Sequence, residues 1–385
     1  MKPRVLIFTD WYLPGFRAGG PVTSIRNLVN GLKADYDFYI LTTNKDYKSS
    51  LPYTGVEYDK WIKKEDHLHV CYISGKSWRH IRRMATEIDD AAWYMTGLYS
   101  WYFSIMPVIY SRRLRDSVVI VAPRGMLSSH AIDIKPAKKL MFLFLSKIFG
   151  IYQNVRFQAT SETEKDDIQN IFRANRVDLV PNLPYQSSLN KPESIEKSPG
   201  VMNLICLGRI APEKNTLGAL EILKQYTESD LFTQGVTIKY QLFGQVYNDN
   251  YFRECKRVSD ELPAEIVVEF NEAVSPDELM LELRSSHFLF LPTNGENFGH
   301  AIAESLAEGR PVIISDNTPW KDLERKGIGW NIDLVNTQKF VQILHLCLQM
   351  NQDQYDKYSV SSFNFMKQFQ DASDSKELYR KLFSK

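Results

Sequence analysis

The most constraining feature of this sequence is the repeated alternation of continuous apolar runs with segments of helical periodicity. The first run, "RVLIFTD", is β-branched and lacks polar alternation, which is typical of a strand buried on both faces. The residues Val22, Ile25, Leu28 and Leu32 that follow it recur at helical spacing. Strands that alternate with helices in this way predict an α/β fold built on parallel sheets.

The alternation occurs twice, with a change of composition between the two halves. Residues 182–200 are enriched in Pro, Ser, Lys and Glu, which indicates a linker. A chain of 385 residues is also too long for one ordinary hydrophobic core. We predict an N-terminal domain, a linker, a C-terminal domain and a C-terminal helix, at residues 1–184, 185–200, 201–366 and 367–385.

Composition argues against several classes of protein. The formal net charge is +1, so the overall charge does not favour nucleic acid as a partner. The four cysteines have no metal-ligand spacing, and no uncharged apolar stretch reaches the roughly 18 residues that cross a bilayer. The first apolar run is too brief for a secretory signal. We expect a cytoplasmic protein whose cysteines are reduced and buried.

Three loops that follow strands carry unusual residues, and ligands of open α/β sheets bind at the carboxyl ends of strands. In the first loop, Gly19 and Gly20 precede a helix. Glycine lets the backbone approach a ligand closely, and a helix start offers amides to an anion. A plain turn between strand and helix is the alternative. The dinucleotide pattern GxGxxG is absent, which argues against a dehydrogenase.

The second loop, "LGRIAPEKN", places Arg209 at a strand end and Lys214 near the next helix start. Helix starts normally favour acidic side chains. Two cations at this position therefore favour a bound anion, although two solvated surface charges would also fit the pattern.

The third loop, "GENFGHAIAE", places Glu296 before a helix and Glu304 inside it, with Gly309 after the helix end. Residues 297–299 lead into the helix, and both carboxylates can face one ligand. In the alternative interpretation Glu296 is a helix-start carboxylate and Glu304 an ordinary surface residue. A helix start alone does not require a glycine and an aromatic residue beside it.

These segments resemble retaining nucleotide-sugar glycosyltransferases of family 4. "ENFGHAIAE" is similar to the E-x7-E element of that family, "GGPVTSIRNLVNGL" to its glycine-rich first loop and "LGRIAPEKN" to its phosphate-binding segment. "QATSETEKDDI", "LVPNLP", "GRPVIISDNTPWKDL" and "GIGWNIDL" resemble further elements in the same order. The resemblance implies the GT-B fold, in which two Rossmann-like domains face a central cleft and the C-terminal helix returns to the first domain.

The resemblance also implies roles for individual residues. Arg209 and Lys214 would neutralise the diphosphate of a nucleotide-sugar donor, and Glu296 would bind hydroxyls of the donor sugar. Glu304 would bind the ribose hydroxyls. The further donor-binding positions are Gly19, Gly20, Asn297, Phe298, Gly299 and His300, where His300 either touches the sugar or packs against the sheet.

The implied reaction is hexose transfer with retention at the anomeric carbon. No metal is expected, because the cations can do its work and no DxD-type sequence lies beside these loops. No cofactor is expected besides the donor. In "APRGMLSSHA" the family often has a histidine where this chain has Arg124. Arginine cannot act as a base near neutral pH. Arg124 and the nearby His130 are therefore candidates only for contact with the acceptor or the sugar.

The expected acceptor is a glycan or a lipid-linked molecule used in surface polysaccharide or lipid-linked glycan assembly. The segment "KPAKKLMFLFLSKIF" joins a cationic start to an apolar run. It is either a helix packed into its own domain or a contact with an anionic membrane at its inner face. A sugar-nucleotide epimerase and a non-catalytic sugar-nucleotide-binding protein remain alternative functions.

Overall fold

The structure is a computed structural model that describes residues 2–75, 77–114, 117–128, 136–174, 176–372 and 374–385. The chain forms two compact units. The first consists of Met1–Leu183 together with Asp374–Lys385, and the second of Pro184–Ser373.

The first unit is built on an eight-stranded sheet in the order β3-β4-β2-β1-β5-β6-β7-β8. Only β3, on the edge, is antiparallel to its neighbour β4; the other neighbouring pairs are parallel. The strands are β1 (Arg4–Phe8), β2 (Asp37–Thr43), β3 (Ile62–Glu65), β4 (Leu68–Ile73), β5 (Ala91–Thr96), β6 (Val119–Ala122), β7 (Arg156–Ala159) and β8 (Val177–Leu179).

Helices cover both faces of this sheet, which explains its continuous apolar strands. They are α1 (Gly20–Leu32), α2 (Trp78–Thr86), α3 (Met106–Ser111), α4 (Pro136–Ile148) and α5 (Glu162–Phe172), with α13 (Ser375–Phe383) from the chain end. Helices α1 and α13 share one buried cluster, to which they contribute Leu28 and Leu382. Helices α2, α3 and α4 share the other, through Ile81, Val108 and Leu143.

The C-terminal helix α13 packs within the first unit. Its Tyr379 is 1% exposed and its hydroxyl accepts a hydrogen bond of 2.8 Å from Nε2 of Gln158. Arg380 lies 3.2 Å from Asp35. The segment predicted at residues 367–385 begins later, because residues 367–372 continue the preceding helix. The Phe369 ring of that helix packs against Trp320 in the second unit.

The second unit contains six parallel strands in the order β11-β10-β9-β12-β13-β14. The strands are β9 (Val201–Leu207), β10 (Thr237–Phe243), β11 (Ile266–Asn271), β12 (Phe288–Leu291), β13 (Val312–Ser315) and β14 (Gly329–Ile332). The helices are α6 (Thr216–Thr227), α7 (Asp249–Asp260), α8 (Pro276–Arg284), α9 (His300–Ala307), α10 (Leu323–Lys326), α11 (Thr337–Gln349) and α12 (Gln352–Ala372).

The strand order of the second unit reverses direction at β9. The chain moves outward from β9 to β10 and β11, then returns to β12 on the other side of β9. The loops after β9 and β12 therefore leave neighbouring strand ends in opposite directions, and the space between them is the usual ligand site of such a sheet.

The segment predicted as a linker, residues 185–200, is part of the second unit. Lys197 is 2% exposed, and its ammonium donates to the backbone oxygens of Ser198, Leu348 and Met350 at 2.9–3.1 Å. Burial lowers the pKa of Lys197 to about 8. The polar composition of this segment thus reflects specific buried contacts rather than a solvated connection.

The predicted state of the cysteines is confirmed: Cys71, Cys206, Cys255 and Cys347 are buried and unpaired. Across the described residues, we find no helix with the length and apolar character that a membrane span requires.

Candidate functional site

The candidate site of the second unit lies at the carboxyl ends of β9 and β12. Arg209 follows β9, and a short 3₁₀ turn, Pro212–Lys214, leads from there toward α6. Glu296 lies in the loop after β12. Because β9 and β12 are paired neighbours, the structure brings together predicted residues that are more than 80 positions apart in the sequence.

Lys214 and Glu296 form an ion pair with 2.5 Å between Nζ and Oε1. The Lys214 side chain is 20% exposed and that of Glu296 is 11% exposed. A charged hydrogen bond with little water around it is stronger than a surface pair. The two side chains are therefore held in place before any ligand arrives.

Arg209 has a carboxylate partner that sequence reasoning missed. Its Nη2 lies 2.6 Å from Oε1 of Glu213, and its guanidinium carbon lies 5.7 Å from the centroid of the Tyr247 ring. The spacing of four residues between Arg209 and Glu213 was a signal that could have indicated this pair. The site therefore holds two cation–carboxylate pairs, and Glu213 of one pair is followed directly in sequence by Lys214 of the other.

The loop after β12 is hydrogen-bonded directly to the 3₁₀ turn. The backbone oxygen of Glu213 accepts from Thr293 Oγ1 at 2.9 Å and from the Asn294 amide at 3.0 Å. Asn294 Nδ2 also donates to the Pro212 oxygen at 2.8 Å. These bonds fix the two loops relative to each other and thereby position Lys214 against Glu296.

The start of α9 requires glycine at position 299. Gly299 has φ +78°, and a Cβ there would lie 2.9 Å from Ile302 Cδ1 and 3.2 Å from Trp320 Nε1. Trp320, a residue that sequence reasoning did not single out, donates from Nε1 to the Phe298 oxygen at 2.7 Å. The tryptophan thus clamps the backbone turn that opens the helix, and Asn297 stands just before it, half-buried.

Two other predicted residues lie on α9. Glu304 is 4% exposed. It is therefore buried, and the alternative interpretation that it is an ordinary surface residue does not hold. The half-buried His300 packs its ring against Phe298, with 4.9 Å between ring centroids.

A thiol close to the Lys214–Glu296 pair is not activated. Burial raises the pKa of Cys206 to about 11, while the charge of Lys214 lowers it more weakly. The thiol is therefore protonated at neutral pH and is a poor nucleophile.

The remaining predicted residues belong to the first unit. Gly19 has φ +66° and both Gly19 and Gly20 are exposed at the start of α1, with open space where side chains would be. The Arg124 side chain contacts Tyr94 of the same unit. Its Nη2 donates to the Tyr94 hydroxyl, and its guanidinium carbon lies 5.9 Å from the centroid of the Tyr94 ring. His130 lies outside the described residues.

The first unit has a cavity of about 560 Å³ at the carboxyl ends of its strands. Asp10 lines it and accepts a hydrogen bond of 2.8 Å from Ser100. Trp11, Trp101 and Tyr102 also line the cavity, and Trp101 is 56% exposed. Aromatic faces beside polar groups are suited to binding a ligand that has both apolar and hydroxyl-bearing surfaces. Among the described side chains, no group of three or more His, Cys, Asp or Glu residues could hold a metal ion.

The part of the chain that holds the candidate site resembles a known family of enzymes. Residues 189–360, which include both cation–carboxylate pairs and α9, match the family model of glycosyl transferases group 1.

Two curated proteins have similar sequences. The alpha-monoglucosyldiacylglycerol synthase of Streptococcus pneumoniae is 24% identical over an alignment of 345 residues, which covers 82% of this chain and 71% of that protein. The O-antigen chain mannosyltransferase RfbU of Salmonella typhimurium is 24% identical over an alignment of 193 residues, which covers 48% of this chain and 50% of that protein.

Solved structures resemble the whole chain. Sucrose-phosphate synthase from Thermosynechococcus elongatus has a TM-score of 0.70 at 15% identity, with 100% of this chain and 99% of that chain covered. HepE of Anabaena, solved with UDP and glucose, has a TM-score of 0.68 at 12% identity, with 98% of each chain covered. This likeness confirms the predicted GT-B fold.

Proposed function

We propose that this chain, a nucleotide-sugar glycosyltransferase with the GT-B fold, belongs to family 4. It transfers a hexose from a nucleoside diphosphate sugar to an acceptor hydroxyl with retention at the anomeric carbon, and the nucleoside diphosphate leaves. The observation that carries this proposal is the paired arrangement of Lys214 with Glu296 and of Arg209 with Glu213 at the point where the strand order reverses.

The two cations would bind the donor diphosphate. Phosphate oxygens compete with carboxylates for the same donors, so the arriving diphosphate would replace Glu296 as the partner of Lys214. The released Glu296 carboxylate can then accept hydrogen bonds from hydroxyls of the donor sugar. Amides at the start of α9, at residues 297–299, add partial positive charge beside the phosphates.

The difficult step of the proposed reaction is departure of the nucleoside diphosphate from an anomeric carbon that becomes oxocarbenium-like. Negative charge grows on the leaving phosphate oxygen, and fixed cations stabilise that charge more in the transition state than in the ground state. We propose attack from the same face, with the leaving oxygen taking the proton of the acceptor hydroxyl. The proposal assigns no step to a metal ion.

The acceptor is proposed to be a glycan or a lipid-linked molecule of surface polysaccharide or lipid-linked glycan assembly. One relative is named as a glucosyldiacylglycerol synthase and the other as an O-antigen chain mannosyltransferase. The cavity of the first unit, with Asp10 and Trp101, offers a carboxylate and an aromatic face to such an acceptor.

The role proposed for Glu304 is tested with nucleotides that lack one ribose hydroxyl. We expect Glu304→Ala to weaken binding of the cognate ribonucleoside diphosphate by about 10- to 100-fold, because hydrogen bonds to a charged group are lost. The wild type should also discriminate against the 2′-deoxy form, whereas the variant should bind both forms equally. Isothermal titration calorimetry measures both effects.

The exposed Glu254 on α7 provides the control. Glu254→Ala should bind like the wild type, and a thermal melt of each variant verifies that it is folded. If the wild type and Glu304→Ala prefer the ribose form over the 2′-deoxy form to the same extent, the ribose assignment is refuted.

A further inference from the structure

Helix α4 exposes an apolar face that the described residues of its own unit do not cover. Its inner side packs through Leu143, which is 5% exposed, and through the ring of Phe142 against Tyr99. Six of the fifteen large hydrophobic side chains that are exposed in the described chain fall between residues 140 and 149. They are Leu140 (54%), Met141 (60%), Phe144 (63%), Leu145 (41%), Ile148 (61%) and Phe149 (68%).

The exposed side chains form one continuous stripe on the helix. At about 100° per residue, those from Leu140 to Ile148 cover an arc of about 140°. On the same projection, Lys147 lies just beyond Leu140 and Lys138 just beyond Leu145, and both lysines are exposed. An apolar stripe with a lysine along each margin is typical of a helix in a membrane interface, where the ammonium groups reach toward the headgroups.

Neighbouring helices extend the cationic surface around this stripe. The Arg112 guanidinium, at the end of α3, donates to the backbone oxygen of Gly150 just after α4. Arg82 of α2 lies 5.8 Å from the centroid of the Tyr110 ring of α3. Because α2, α3 and α4 share one buried cluster, Arg82 and Arg112 lie on elements of the same side of the sheet as the stripe.

We propose that α4 is a docking surface for an anionic lipid bilayer and that it lies parallel to the membrane plane. Its 13 residues are too few to cross the roughly 30 Å hydrocarbon core. Charge selects the occupant, because anionic headgroups complement the lysines that border the stripe. A second copy of the chain is a poorer fit, since two such faces would bring their cationic margins together.

This inference concerns where the protein is held and does not depend on the proposed reaction. It does explain why an apolar run that could have been buried is left exposed. A bilayer would remove this surface from water, whereas exposed patches of this kind otherwise promote aggregation.

The test is co-sedimentation of the full chain with vesicles of phosphatidylcholine alone and of phosphatidylcholine with phosphatidylglycerol. We expect binding to the anionic vesicles, at least about tenfold weaker binding to the neutral ones, and loss of binding as salt increases. The double variant Leu140→Ser/Leu145→Ser should bind the anionic vesicles at least about tenfold less than the wild type.

A matched control uses two leucines of the second unit with similar exposure. Leu281 and Leu346 are 63% and 46% exposed, and Leu281→Ser/Leu346→Ser should bind vesicles like the wild type. Equal vesicle binding by the two double variants would overturn the inference. So would a wild type that binds no vesicles but forms dimers that Leu140→Ser/Leu145→Ser abolishes. Circular dichroism and nucleotide binding show that the variants are folded.

Discussion

Replacing Lys214 with alanine is expected to lower kcat for sugar transfer by about 10²–10³-fold. The Lys214 ammonium lies 2.5 Å from Glu296 and is only 20% exposed, so it is a fixed charge in a site with little water. Such a charge stabilises the departing diphosphate without having to reorganise during the reaction. Because this charge grows in the transition state, the loss should fall mainly on kcat rather than on KM.

The matched control is Lys224, which forms a similar pair with Glu261 at 2.6 Å but is 38% exposed on the surface of the same unit. Lys224→Ala should retain the kcat of the wild type, because an exposed pair remote from the loops after β9 and β12 contributes little. Steady-state kinetics with the cognate donor measures both variants. Unchanged turnover in Lys214→Ala, or a loss confined to donor affinity, would contradict the assignment of the phosphate site.

Replacing Glu308 with alanine is expected to lower the free energy of unfolding by about 3 kcal/mol. Glu308, just after α9, is 0% exposed, and its Oε2 accepts a hydrogen bond of 2.6 Å from Arg284. That hydrogen bond raises the pKa of Arg284. Removing the carboxylate leaves a guanidinium that is 19% exposed, with Glu193 at 3.5 Å as its remaining ion partner.

The control is an exposed glutamate that is also ion-paired. It measures the stability that is lost when a carboxylate is removed from the surface. Glu261 lies 2.7 Å from Arg257 on α7 and 2.6 Å from Lys224, and its side chain is 37% exposed, so Glu261→Ala should cost much less stability than Glu308→Ala. Urea denaturation followed by circular dichroism gives both values. If the two variants lose equal stability, the buried pair does not hold α8 against the end of α9.

The parallel strands could be predicted from the sequence because burial on both faces leaves a plain signature. The run at β1, for example, has Val5 to Phe8 at 0% exposure. The edge strand β3 could not be found in this way, since its sequence "IKKE" is polar and faces solvent. The sequence also could not show that residues 367–372 continue the helix before them, because Phe369 packs against Trp320, and only the folded second unit shows that contact.

The sequence could place the candidate residues at one edge of the sheet, but it could not give the contacts between them. Parallel strands place all their carboxyl ends at one edge, so Lys214 and Glu296 were expected at the same edge. That β9 and β12 are direct neighbours depends on the strand order, which no local pattern encodes. For the same reason, the pairing of Glu213 with the loop after β12 and the clamp formed by Trp320 were missed.

Helix α4 shows a third limit of sequence reasoning. Its period identifies a helix with an apolar side, but a pattern cannot reveal which apolar side chains a neighbouring element covers. The structure answers that question for the described residues: Leu143 is covered, and Phe144 is 63% exposed.

The most direct test of the central claim is calorimetric titration of the full chain with UDP, GDP, ADP and dTDP, each with and without Mg²⁺. If the cations at Arg209 and Lys214 bind the donor diphosphate, one nucleoside diphosphate should bind with micromolar affinity in the absence of metal. Binding that requires Mg²⁺ would contradict the role of these two cations. Binding of none of the four would contradict the nucleotide-sugar site itself.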